Sequence, residues 1–326
     1  MKKTMLGICV LGLALAWSTA AEAREIRFGH VGPTFHGQHQ GSLAFAKYVK
    51  EKTGGELNIQ VFPLGQLGGE MSMAEQVQGG ALEMASITTA VLENFVPQAA
   101  VLDFPFVFPS RKTAYDVLAD KEFQEKLFSF FPAKGFEAIG YTENEFRDIT
   151  NSKRPIHQPG DLAGLKIRVM KSPVYLDAFN QLGASAVPMD FPEIYNALQQ
   201  GVIDGQENPL YTSILMKFTE VNKFATRTQH ILTECIILVN LDFWNSLPPE
   251  QQKIMRAAAD VCIAVNREVS QGHFLKLPKL DISIDDYCRQ NKVEVVDLTE
   301  QERQAFAAAM KPVWAKYRDF VGPEFH

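Results

Sequence analysis

Two arginines and a short run of amides and carboxylates are the residues of this chain best suited to hold a small charged molecule. Arg168 closes the apolar stretch Leu165-Lys166-Ile167-Arg168-Val169-Met170. An arginine in a well-packed segment is costly to bury unless an anion meets it. That anion is either a protein carboxylate, with Asp161 and Glu207 as partners, or a bound ligand whose planar carboxylate fits the guanidinium fork. Arg147, in Asn144-Glu145-Phe146-Arg147-Asp148, reads either as an ordinary exposed strand arginine or as a second contact to an acid. Glu207 and Asn208 lie in Asp204-Gly205-Gln206-Glu207-Asn208-Pro209-Leu210, read as a turn bounded by Gly and Pro. Asn208 can donate and accept at once. Glu207 would repel an acidic ligand and is expected to orient Arg168 or a hinge.

Catalysis is the competing reading. Asp190, Glu193, Asp204 and Glu207 place carboxylates in one region, and paired carboxylates can do acid–base work. Yet the chain has no G-x-S-x-G, no H-E-x-x-H, no phosphate loop and no Cys/His pair of recognised spacing. Cys235, Cys262 and Cys288 match no zinc motif, and their odd number opposes a full disulfide framework. They are expected as buried free thiols, with one bridge as the alternative. No cofactor and no metal is expected.

The flanking sequence bounds where such a site could work. Lys2 and Lys3 precede the apolar run Met5 to Trp17, and small residues follow to Ala21-Glu22-Ala23. This is the pattern of a cleaved secretory signal, with cleavage expected after Ala23. Thirteen residues fall short of the roughly 20 that a spanning helix needs. Ile8 before Cys9 spoils a lipobox, so an exported soluble protein is expected, not one embedded in the membrane. Loss of Lys2, Lys3 and Glu22 takes the formal net charge from −6 to −7. No basic cluster is present, which argues against nucleic acid or anionic lipid as a partner. An anionic ligand must then be held by a few placed arginines.

Helix and strand patterns alternate, as in α/β units. Strands are predicted at 25–29, 57–62, 82–87 and 135–141, with helices at 40–53 and 71–79. A second unit holds a strand at 165–169 and helices at 175–182 and 191–200. An apolar strand at 230–240 leads back, followed by one long helix from Pro249 to about Leu275 and a late strand at 292–298. Thr299-Glu300-Gln301-Glu302 then opens a final helix with capping chemistry. These patterns place lobe I at 24–143 plus 231–272 and lobe II at 144–230 plus 273–326.

Several long motifs, in order, resemble the DctP-type solute-binding proteins of tripartite ATP-independent periplasmic (TRAP) transporters. They are LGQLGGEMSMAEQVQGGALEMASITTAVLENFVPQAAVLDFPFVF (64–108), FRDITNSKRPI (146–156), and LKIRVM, LGA, VPM, FPEIYNALQQG and DGQENP between 165 and 209. The likeness runs from about Ile26 to about Pro249. It implies a two-lobed α/β periplasmic binding protein fold, with a ligand cleft between the lobes and a long helix spanning both. It further implies a periplasmic receptor, acting as a monomer, that captures a small organic acid and delivers it to the small and large membrane subunits. A ligand-presenting sensor partner fits the same resemblance; an exported lyase or hydrolase is the remote alternative. By resemblance Arg168 is the principal carboxylate anchor, Arg147 a second contact, and Asn208 a neighbour of Arg168. Phe191 is an aromatic wall by resemblance, or simply core. Tyr211 is a candidate at the cleft edge, and Glu145 stands where many relatives have glycine. From lobe I the candidates are His36, Glu70, Thr88 and Glu234. A sugar acid, a C4-dicarboxylate and a hydroxy acid all fit one arginine-anchored carboxylate.

Overall fold

Strands with alternating burial begin the fold. This computed structural model describes residues 23–278 and 280–325, so the signal segment, apart from Ala23, lies outside the described residues. In β1 (Arg24–Gly29), Ile26 and Phe28 are buried and Arg27 between them is exposed. Leu57 and Ile59 repeat the period in β2 (Leu57–Phe62). By contrast β3 (Met84–Thr88) and β10 (Leu232–Asn240) are buried at every position. That is the signature of strands covered on both faces. With β4 (Phe136–Phe146) they form a five-stranded sheet ordered β2-β1-β3-β10-β4. Here β1 runs parallel to its neighbours, and β10 antiparallel to β3 and β4.

The second sheet is assembled from β5 (Asp148–Asn151), β6 (Lys166–Val169), β7 (Ser185–Pro188), β8 (Gly205–Asn208), β9 (Phe224–Arg227) and β11 (Glu294–Asp297). Its order is β11-β9-β5-β8-β6-β7. The chain therefore has two α/β sheets, with crossings near residue 147 and again between β9 and β10. One correction concerns the stretch read as a turn. Gly205 to Asn208 is strand β8, antiparallel to β5 and parallel to β6. Its polar composition disguised it, because Gln206, Glu207 and Asn208 are buried through satisfied hydrogen bonds and not through apolarity.

Two helices fix the geometry of the first sheet. Gly37–Lys52 begins three residues earlier than predicted, because His36 Nδ1 accepts from the Gln38 backbone N–H at 3.1 Å and caps it. Gly37 and Gly41, one turn apart, face the long helix Pro249–Leu275. A Cβ on Gly37 would lie 2.6 Å from the Asn266 carbonyl oxygen, and one on Gly41 2.7 Å from that of Cys262. The long helix, about 40 Å by its rise per residue, packs Met255, Ala258, Ala259 and Cys262 against the first sheet. Farther along, its His273 ring lies 5.2 Å from Tyr211, in the cluster beside the second sheet. Cys235, Cys262 and Cys288 are all free and buried.

The crossing out of β4 is irregular. Pairing with β10 slips by one residue between Glu143 and Phe146, leaving a bulge at Asn144 and Glu145. Glu145 has φ 77°, a left-handed conformation that glycine takes without cost. The lost ladder bonds are replaced by Asn266, whose side chain accepts from the Glu143 N–H at 2.7 Å and donates to its carbonyl at 3.0 Å. The bulge turns the next residues toward the space between the sheets. Farther on, the segment predicted as one helix at 191–200 is a 3-10 turn, Phe191–Glu193, followed by helix Ile194–Gln199.

The close approach of the two helices has a measurable cost if disturbed. Gly41→Ala should destabilise the protein by about 1–3 kcal/mol through overpacking against the Cys262 carbonyl. Denaturant unfolding with an unchanged midpoint would refute that contact.

Candidate functional site

A small cavity, with about 30 Å3 open to the centres of water-sized spheres, lies where strands of both sheets end. Such positions at strand carboxyl ends are where α/β proteins meet ligands. From the first sheet come the loop after β1, with His36 and Gln38, then Glu70 and Thr88. From the crossing and the second sheet come Asn144, Arg147, Arg168, Phe191 and Asn208. Met170, Thr212 and Cys235 complete much of the remaining wall.

The two arginines are held differently. Arg168, 2% exposed, donates through Nε and Nη2 to the Met189 carbonyl at 2.8 and 2.6 Å. Its Nη1 is buried with no hydrogen-bond partner. Arg147 is fully buried, not exposed, and lies in a buried ion pair with Glu207. Its Nη2 also donates to the Glu207 carbonyl at 2.6 Å and to Asn208 Oδ1 at 3.1 Å. Arg147 Nη1 is likewise buried without a partner. Burial, joined by repulsion from Arg147, pulls the Arg168 pKa down to about 10 against the pull of Glu207. Burial opposes the Arg147 charge too, yet Glu207 raises its pKa above the ordinary value. Glu207 in turn is lowered, because Arg147 overrides the burial that would raise it. Of the two roles expected of Glu207, orienting Arg168 or a hinge, the pairing with Arg147 at the crossing departs from the first and leaves the second. Arg147 directly precedes β5, whose Asp148 lies opposite Asn208 in β8, and this register brings its guanidinium back to Glu207.

Glu70 faces the arginines from the other side. It is 6% exposed and accepts from the Thr88 backbone N–H at 2.8 Å and from its hydroxyl at 3.0 Å. Burial raises its pKa despite those two bonds. His36 accepts a backbone N–H at Nδ1, so its neutral form carries the proton at Nε2, 2.9 Å from the Tyr211 hydroxyl. Burial first, then His273 and Arg147, lower its pKa to about 3. Gln38 is fully engaged with Gly32, Ser86 and Cys235.

Seven of the ten residues singled out by sequence line this cavity: Arg147, Arg168, Asn208, Phe191, Thr88, Glu70 and His36. Glu207 stands behind Arg147, and Tyr211 behind His36. Glu234 is also outside the lining, because side chains alternate along β10 and Cys235 takes the cavity face. Glu234 lies opposite Glu143, and burial together with that neighbour pushes its carboxyl well up. Sequence reasoning missed Gln38, Thr212 and the placement of Cys235. Thr212 follows Asn208 at a helical interval, and strand alternation would have found Cys235. Among the four carboxylates considered for acid–base work none lines the cavity. Asp190 pairs with Lys171 at 2.6 Å and Asp204 with the Lys166 N–H at 2.9 Å.

The two sides meet closely at the rim. A Cβ on Gly69 would lie 2.5 Å from the Asp190 carboxyl carbon, and one on Gly65 3.0 Å from Pro192 Cγ. Deeper in, Glu93 accepts from Ser172 Oγ at 2.6 Å and from the Val174 N–H at 3.1 Å.

Two α/β lobes flanking a cavity that two buried arginines line have the architecture of a two-lobed solute-binding protein. The profile of the bacterial extracellular solute-binding proteins, family 7 (DctP), matches residues 28–319, and the chain belongs to this family. A solute-binding protein of Verminephrobacter eiseniae is 37% identical over 89% of this chain and 84% of its own length. The 2,3-diketo-L-gulonate-binding periplasmic protein YiaO of Escherichia coli is 32% identical over 92% of this chain and 89% of its own. A TRAP periplasmic solute-binding protein of Polaromonas, solved with D-erythronate, superposes with a TM-score of 0.86 at 31% identity, covering 93% of this chain and 97% of that one.

The unequal partners of the arginines predict unequal effects without ligand. Arg147→Ala strands the buried Glu207 and should cost about 3–5 kcal/mol of folding stability. Arg168→Ala removes a cation with no carboxylate partner and should cost clearly less. Chemical denaturation of the two ligand-free variants would overturn this ordering if it came out reversed.

Proposed function

We propose that this chain captures a small organic acid between its lobes and hands it to the small and large membrane subunits of a TRAP transporter. One observation carries the reading: Arg147 and Arg168 line the same cavity, and each keeps a buried Nη1 without a hydrogen-bond partner. Buried guanidinium donors are costly unless an acceptor meets them, and a carboxylate offers two oxygens in one plane. The relatives support the ligand class. YiaO is named for a diketogulonate and the Polaromonas protein holds erythronate, both carboxylates of oxygenated carbon chains.

Binding then works by differential stabilisation. Ligand docks on the arginines of lobe II, reaches Glu70 and Thr88 of lobe I, and favours the state in which the lobes are together. The lobes in this reading are 24–143 plus 231–272 and 144–230 plus 273–326. No covalent step is required, so the chain is a receptor and not an enzyme. It acts as a monomer in the periplasm, after cleavage following Ala23.

A thermal-shift screen of the mature protein against small organic acids tests the reading. Ligand at a thousandfold excess over Kd should raise stability by about 4 kcal/mol. Arg168→Ala should lose about 2–5 kcal/mol of binding energy for the best acid. No shift with any acid, after unfolding and refolding to strip carried-over ligand, would reject the proposal.

A further inference from the structure

We infer that Glu70 sets the ligand class, admitting the hydroxylated end of a monocarboxylic acid and turning away a second carboxylate. The inference rests on the carboxylate-receptor reading and narrows it. Charge within the cavity is sharply divided. Its lining cations are Arg147 and Arg168, and Glu70 is its lining carboxylate. Glu207 already neutralises Arg147. Arg168 is the cation left without an ion-pair partner, so it can take one ligand carboxylate while Glu70 faces it with the opposite charge. A second carboxylate would find no third cation in the lining and would be buried against Glu70.

The remaining polar atoms suit hydroxyls. Each Glu70 oxygen accepts one hydrogen bond from Thr88 and keeps capacity for another. Thr212 Oγ1 is buried without a partner and borders the same cavity. A hydroxyl can donate to a carboxylate and accept from a threonine, whereas a second carboxylate can only accept. His36 offers no alternative cation, because its Nδ1 accepts the Gln38 N–H and its Nε2 meets Tyr211. The ligand implied is a polyhydroxy monocarboxylate of the aldonate type, with carboxylate on the arginines and hydroxyls toward Glu70.

Calorimetric titration of the refolded protein with erythronate, galactonate, succinate and malate tests this, with Glu70→Gln alongside. The wild type should favour the better hydroxy monocarboxylate over succinate by about 100-fold or more, as like-charge juxtaposition costs several kcal/mol. Glu70→Gln keeps the side chain's size and should narrow that ratio about tenfold, chiefly by tightening the dicarboxylates. Equal binding of both classes by the wild type, or an unchanged ratio in a folded Glu70→Gln, would overturn the role of Glu70 and leave the receptor reading intact. Failure of every acid in the wild type would remove both.

Discussion

The buried ion pair between Arg147 and Glu207 is the interaction on which the rest of the site depends. Two guanidinium groups lining one cavity repel each other, and each loses hydration on burial. Glu207 cancels one of those charges from inside the second sheet, where it is fully buried. The cavity can then show two sets of N–H donors while only the Arg168 charge is left to face Glu70. Arg147 lies on the path between the lobes, directly after the β4 bulge, and Glu207 in a central strand of the second sheet. The position of the anchor is therefore fixed by the architecture itself and not by a surface loop.

Much of this was legible in the sequence, and what was hidden has physical causes. The long helix starts at Pro249 and ends at Leu275 as read, because prolines mark its start and lie just beyond its end. β2 was equally clear from its alternation. β8 was not, since strands are read from apolar runs and this one is polar and held by pairing. Arg168 was recognisable from its apolar setting as a buried cation in need of an acceptor, and it is buried at the cavity wall. The partner of Glu207 was not, because the choice between two arginines depends on strand register, which spacing along one chain does not encode. Glu145 carries a similar lesson: it occupies a glycine-like conformation, and its carboxylate pairs with Arg111 across the bulge.

The lobes meet through polar contacts as well as through a shared apolar cluster. Glu93 reaches Ser172 and Val174, and burial with nearby Asp103 pushes it up to about 8. Tyr175, from the same helix as Val174, meets Thr233 at 2.8 Å. Hydrogen bonds of this kind exchange for water at small net cost. Parting the lobes would also uncover Ala90, Ala100 and Phe104, which join the apolar cluster around Val169 and Tyr175.

The glycine rim has a kinetic consequence. Gly65 and Gly69 let the first lobe press on Pro192 and Asp190, next to Phe191 at the cavity wall. With Arg147 and Arg168 almost wholly shielded, a bound acid leaves only when that rim parts. Residence time is then governed by glycine backbone against the Asp190 and Pro192 side chains at the mouth, while recognition is governed by side chains deep inside. Because few residues serve both tasks, how long the receptor holds its ligand can change over generations with little change in what it holds.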